Sequence, residues 1–268
     1  MDTLDLFSMK GKNVLITGGR AMYGLGATLA LADAGANIYL ASHSIESAQT
    51  LVDELQHDKG IKVKAIAFDL DNIESIENLV KSVIEDCGTI DTFVHCSRIL
   101  PSGGTGTAWD QDPIQLEQNV RINSAASLFL LELVGKQMIR QGHGSIIVFG
   151  SMMGLIGVEK HNYDGNPHMV GGSYSHAYAM DKSGLTAWVR HAASYYGQYG
   201  VRINAVCPGG LQSDRTNPLF AEKYSLHTQI GRLATQDDIK GPILFLASEA
   251  SAYLTGLSIP VDGGYTCI

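Results

Sequence analysis

The chain has 268 residues, 45% of them apolar, with a formal charge of −8 and a pI of about 5.5. That apolar content supports a sizeable core and argues against disorder. The acidic balance argues against a broad phosphate-binding surface, so neither nucleic acid nor a membrane is expected as a partner, although a small local anion site is compatible with it.

The opening MDTLDLFSMKGK has acids at Asp2 and Asp5 and no long apolar core, so no signal peptide is expected. NVLIT (13–17) predicts a first strand. It runs into TGGRAMYGLG, Thr17 to Gly26, and then into a helix over 25–34. Further strands are predicted at NIYLA (37–41), VKAIAF (63–68), DTFVHC (91–96), SIIVF (145–149), VRINAV (201–206) and LSIPV (257–261). Several are continuously apolar, as strands buried on both faces of a parallel sheet should be.

Amphipathic segments at 44–57, 73–87, 113–141, 175–198 and 236–248 fill the intervals. SLFLLELVG within the fourth helix is interrupted by Glu132 and falls short of the ~18 residues of a membrane span. The alternation predicts an α/β fold, a Rossmann-like doubly wound sheet of seven mostly parallel strands with helices on both faces. With no repeat or Pro-rich linker, residues 1–268 read as one domain. Thr235 with Asp238 resembles a capping box, and the long connection 208–235, containing LFAEKYSL, is expected to supply a short helical lid. Cys87, Cys96, Cys207 and Cys267 form no C-x-x-C pair, which reads as reduced thiols in a cytoplasmic protein.

Three stretches carry candidate chemistry. A glycine-rich turn between the first strand and its helix is where a doubly wound sheet would hold a dinucleotide pyrophosphate, with Gly18, Gly24, Leu25 and Gly26 around it. In GGSYSHAYAMDKSG (171–184), Tyr178 and Lys182 are four residues apart and lie on one helix face, whereas Tyr174 sits about two turns from the lysine. Finally, VEKHNYDGNPHMVGGS (158–173) is polar and aromatic, and its His161, Asp164 and His168 are too irregularly spaced to suggest a metal site.

Together with FDLD (Asp69), NVRIN (Asn123), FGSMMG (Ser151), YAMDK, CPGG and VDGG in order, the chain resembles the short-chain dehydrogenase/reductase family over about residues 10–266. The resemblance implies a single-domain oxidoreductase that interconverts an alcohol and a carbonyl by hydride transfer with a nicotinamide dinucleotide. It implies that Tyr178 is the general acid–base, that Lys182 favours its phenolate and holds the nicotinamide ribose, and that Ser151 donates to the substrate oxygen. Asn123 would kink its helix and bind a relay water, Leu211 and Ser213 would fix the carboxamide, and Asp69 and Leu70 would flank the adenine. An enoyl-reducing branch spaces Tyr and Lys by seven, but residue 175 is Ser, which disfavours C=C reduction.

The chain departs from the family pattern in three places. Gly18 and Gly24 are two residues further apart than usual, HCSR (95–98) replaces the NNAG run, and Ser151 and Tyr178 are further apart than the family's spacing because of 158–173. No carboxylate stands at the end of strand two, where Ser42 and His43 lie, and Arg20 in the turn could reach a 2′-phosphate. NADP(H) is therefore expected over NAD(H). The polar insertion suggests a small polyol, sugar or sugar derivative as substrate. A non-catalytic NAD(P)-binding sensor or scaffold is the alternative, and by resemblance a homotetramer, or a homodimer, would form through 113–141, 175–199 and the last strand.

Overall fold

The computed structural model describes residues 2–99, 112–157, 159–164 and 176–268. Seven strands, β1 (Asn13–Thr17), β2 (Asn37–Ser42), β3 (Val63–Ala67), β4 (Thr92–His95), β5 (Gly144–Phe149), β6 (Val201–Pro208) and β7 (Ser258–Val261), form one sheet in the order β3-β2-β1-β4-β5-β6-β7. Every pairing is parallel. The chain leaves β3 and crosses over to β4 on the far side of β1, so the β1–β4 boundary is the topological switch point, where doubly wound sheets open a crevice.

Side chains alternate faces along each strand and so build two cores. Val14, Ile16, Val94 and Ile147 pack on α1 (Met22–Asp33), α2 (Glu46–Lys59) and α8 (Lys240–Ala247). Leu15, Phe93, Ile146 and Val148 pack on α3 (Ile73–Cys87), α5 (Ser127–Gln141) and α6 (His176–Tyr196). Both faces are covered, which is why the strands read as continuous apolar runs.

The structure refines several expected elements. The first helix begins at Met22 and thus absorbs Gly24, Leu25 and Gly26. The expected helix 113–141 is three pieces: α4 (Pro113–Asn119), a π-helical turn Val120–Ala126, and α5. A single extra residue per turn leaves no trace in apolar spacing, and π-bulges concentrate at functional sites. Thr235 and Asp238 do form a capping box, ahead of a 3-10 turn that leads into α8. Within 208–235 a short helix, α7 (Pro218–Ser225), is capped by Asn217, whose side chain accepts from the Leu219 amide. Of the insertion 158–173, Lys160–Asn162 forms a 3-10 turn, while 158 and 165–173 lie outside the described residues, as do Tyr174 and Ser175.

Candidate active site

At the carboxyl ends of the strands two cavities of about 680 Å³ each adjoin, sharing Met22. One is lined by Gly18, Arg20, Ser42, His43, Asp69 and Leu70, drawn from the turns after β1, β2 and β3. These are the residues expected to hold a dinucleotide, and the local backbone fits one. Gly18 has φ +70°, and a Cβ there would come within 2.8 Å of the Cys96 carbonyl carbon, so only glycine lets the turn lie against the end of β4. Gly24, Leu25 and Gly26 do not line this cavity. Instead, a Cβ on Gly24 would meet the Gly18 oxygen at 2.0 Å, and one on Gly26 the Gln236 oxygen at 2.3 Å. These two glycines pack the helix against its own turn and against the residues leading into α8. Met22, at the helix start, has φ +53°, a strained conformation for a side chain of that size, and is half exposed at the junction of the cavities. Arg20 donates from Nη1 to the Ser47 carbonyl at 2.7 Å, and Ser42 donates to the Ser44 carbonyl at 2.7 Å, which holds both side chains at the mouth beside exposed His43.

The second cavity is lined by Ser151, Tyr178, Leu211 and Ser213, along with Met152, Met153 and Tyr224. Ser151 follows β5, and its Oγ accepts from the Met153 amide at 3.1 Å, which leaves the hydroxyl proton for an oxygen in the cavity. Lys182 is buried, and its Nζ donates to the Phe149 carbonyl at 2.6 Å while lying 5.8 Å from the Tyr178 ring centroid. The helical spacing thus brings Tyr178 and Lys182 together beside the end of β5. Asn123 sits in the π-helical turn, and its amide clamps one residue: Oδ1 accepts from the Ile99 amide at 2.9 Å and Nδ2 donates to the Ile99 carbonyl at 2.8 Å. The other Nδ2 proton goes to Asn119 Oδ1 at 2.9 Å. Ser213 is tied to Thr216, whose Oγ1 accepts from the Ser213 amide at 2.9 Å, and Leu211 bridges to Ala234.

A family model described as "Enoyl-(Acyl carrier protein) reductase" matches residues 21–266, most of the chain. The chain is 30% identical to an L-rhamnose 1-dehydrogenase (NAD(P)(+)) of Sphingomonas, over 96% of each chain. The chain is a short-chain dehydrogenase/reductase. It is also 30% identical to an NADP-dependent mannitol dehydrogenase of Hypocrea jecorina, over 98% of this chain and 95% of that one. Among solved structures, a gluconate 5-dehydrogenase from Burkholderia cenocepacia in complex with NADP and tartrate superposes over the full length of both chains with a TM-score of 0.86 at 25% identity. This short-chain dehydrogenase/reductase is thus an NAD(P)-dependent oxidoreductase of alcohols and carbonyls.

Several residues at this dehydrogenase's site stand within the stretches HCSR, NVRIN and YAMDK but have no role implied by the resemblance. The Arg98 guanidinium carbon lies 4.7 Å from the Tyr178 ring centroid. Asp181 is buried and accepts from Asn119 Nδ2 at 2.7 Å and from Ser124 Oγ at 2.8 Å, which joins α6 to the α4–π segment. The signals were the N-x-x-x-N spacing of Asn119 and Asn123, which places both on one face, and the HCSR departure itself. Among the described residues the structure groups His161 with Glu159 and His227, the two imidazole Nε2 atoms 2.8 Å apart, while His168 lies outside the described residues.

His95, the first residue of HCSR, is buried between strands, with Nδ1 2.9 Å from Thr17 Oγ1 and Nε2 without a partner among the described residues. Burial, then the Lys182 charge, pushes it down from 6.5 to about 3, so it folds neutral. Unfolding frees it to take a proton below 6.5. Its contribution to stability is therefore complete above 6.5 and is lost as pH falls towards 3. Thermal unfolding should show a loss of about 2 kcal/mol by pH 5 from this residue. His95→Asn should flatten that dependence, and an identical pH dependence in the variant would refute the assignment.

Proposed function

We propose that this dehydrogenase oxidises a secondary alcohol of a small polyol, sugar or sugar derivative, or reduces the corresponding carbonyl, with NADP(H) favoured over NAD(H). The observation that carries the reading is one cavity lined by Ser151 and Tyr178, with the buried Lys182 ammonium one helical turn behind the phenol. When bound, the dinucleotide supplies the hydride acceptor or donor. The chain's own part is to move the proton. Tyr178 as phenolate takes the hydroxyl proton of an alcohol, and as phenol returns it to the carbonyl oxygen. Ser151 donates to the same oxygen as negative charge develops. Lys182 favours the phenolate by proximity and, with Leu211 and Ser213, would hold the nicotinamide half. Asn123 fixes the loop after β4 against the site, and its remaining lone pair leaves room for a relay water.

The polar composition of 158–173 supports a hydroxyl-rich substrate, as do relatives named for rhamnose and mannitol. Arg20 at the mouth, together with the lack of a carboxylate at the end of β2, supports a 2′-phosphate. Exposed Tyr195 and Tyr199 on and just after α6, and Leu257 beside β7, support a homotetramer or homodimer through these elements, and the four free cysteines support a cytoplasmic location. Among the described residues no helix is long and apolar enough to cross a membrane.

An absorbance screen of polyols, sugars and sugar acids with NADP⁺ and NAD⁺ tests the reading. Turnover is expected with at least one of these classes, and kcat/KM should be roughly tenfold higher with NADP⁺, equivalent to about 1.4 kcal/mol. Oxidation of NADPH by an enoyl thioester, with all of these alcohols inert, would transfer the chain to C=C reduction. Dinucleotide binding with no turnover of either class would make it a sensor.

A further inference from the structure

We infer that Arg98 is a positioning residue that favours the phenolate of Tyr178 from the ring face, a second cation in addition to Lys182. This rests on the reading of Tyr178 as the acid–base. Arg98 stands in the turn after β4, where the guanidinium carbon covers the Tyr178 ring at 4.7 Å, nearer than Lys182 Nζ at 5.8 Å. A guanidinium over an aromatic face is attracted to the ring's negative quadrupole, and more strongly to a phenolate ring that carries a full charge.

A purely structural role in pairing Asp181 does not explain this placement. The Arg98–Asp181 approach is 3.8 Å, and both carboxylate oxygens of Asp181 already accept from Asn119 and Ser124. Meanwhile Arg98 Nε is buried without a partner among the described residues. The guanidinium thus sits in a poorly solvated place over the tyrosine ring. Burial pulls Arg98 down from its ordinary range, while Tyr178 and Asp181 act in the opposite direction.

The other titratable groups around the phenol do not supply this charge. Tyr23 on α1 and Tyr224 on α7 are pushed up by burial and stay neutral. His95 on β4 is held neutral beside Lys182. Tyr163 and Tyr265 belong to the same aromatic cluster, and Arg215 lines the far part of the cavity at an exposed position. Asp181 is the nearby anion, and it opposes Arg98.

The test is the pH profile of alcohol oxidation by the full-length enzyme with NADP⁺ and mannitol or gluconate, read alongside a tyrosinate ultraviolet difference titration against Tyr178→Phe. In Arg98→Gln the midpoint of the acid limb and the Tyr178 titration should both move up by about one pH unit, so turnover falls roughly tenfold below both midpoints and is unchanged on the alkaline plateau. Arg98→Lys, which keeps the charge, should move less than half as far. Asp181→Asn, which removes the opposing charge, should move both midpoints down, and this provides the test if Arg98→Gln does not fold. Midpoints that stay in place while the rate falls uniformly across pH overturn the role of Arg98 alone, provided Tyr178→Phe is inert. Turnover surviving in Tyr178→Phe overturns the acid–base reading and this inference with it.

Discussion

Tyr178→Phe should lower kcat by a factor of about 10²–10⁴ while leaving dinucleotide affinity within roughly twofold, because the change removes one oxygen and keeps the ring. General acid–base catalysis contributes about 10²–10⁴, and among the described residues no other hydroxyl of this site has a buried ammonium one turn behind it. Ser151, another hydroxyl of the cavity, accepts from the Met153 amide and is thereby oriented to donate its proton to the substrate oxygen. Lys182→Met should differ in kind. It empties the Phe149 carbonyl of its 2.6 Å donor as well as removing the charge, so both kcat and dinucleotide affinity should fall. Steady-state kinetics paired with fluorescence titration of NADPH separates the two patterns. A Tyr178→Phe enzyme that turns over within tenfold of its parent would remove the phenol from the mechanism.

Gly24→Ala should cost several kcal/mol and about 5–10 °C in thermal midpoint, with dinucleotide affinity falling in parallel. The added methyl would sit 2.0 Å from the Gly18 oxygen, and Gly18 cannot retreat because its own Cα faces the Cys96–Ser97 peptide. Overpacking against two backbone segments has no flexible side chain to absorb it. Gly184→Ala is the control. That glycine is exposed within α6, is followed by Leu185 rather than proline, and has nothing within 4 Å of its missing Cβ, so alanine should be neutral or stabilise by up to about 1 kcal/mol. Differential scanning calorimetry of the pair decides the point, since equal midpoints would mean that the turn yields more readily than its contacts allow.

The sheet was legible because burial on both faces writes itself as runs such as NVLIT and SIIVF, and the Tyr178–Lys182 pairing because four residues nearly complete a helical turn. Three features escaped for physical reasons. The π-helical turn at Val120–Ala126 changes hydrogen bonding without changing which residues are apolar. The start of α1 at Met22 depends on a residue adopting positive φ, which glycine-counting assigns to glycine. Arg98 and Asp181 look like solvated charges in a one-dimensional reading, and only their convergence from the turn after β4 and from α6, distant in sequence, buries Asp181 and half-buries Arg98 beside the tyrosine.

The helix behind the glycine turn has a neighbour from far along the chain. Gly26 rests on the Gln236 carbonyl and on Ile239, and Tyr23 donates to the Gly209 carbonyl at 3.1 Å. During synthesis, then, β1 and its turn leave the ribosome long before the surfaces that seat them exist. The dinucleotide half cannot mature as an independent early unit, and loading must wait for the distal quarter of the polypeptide. A nascent chain stalled before Gly209 should show no protection by NADPH against proteolysis.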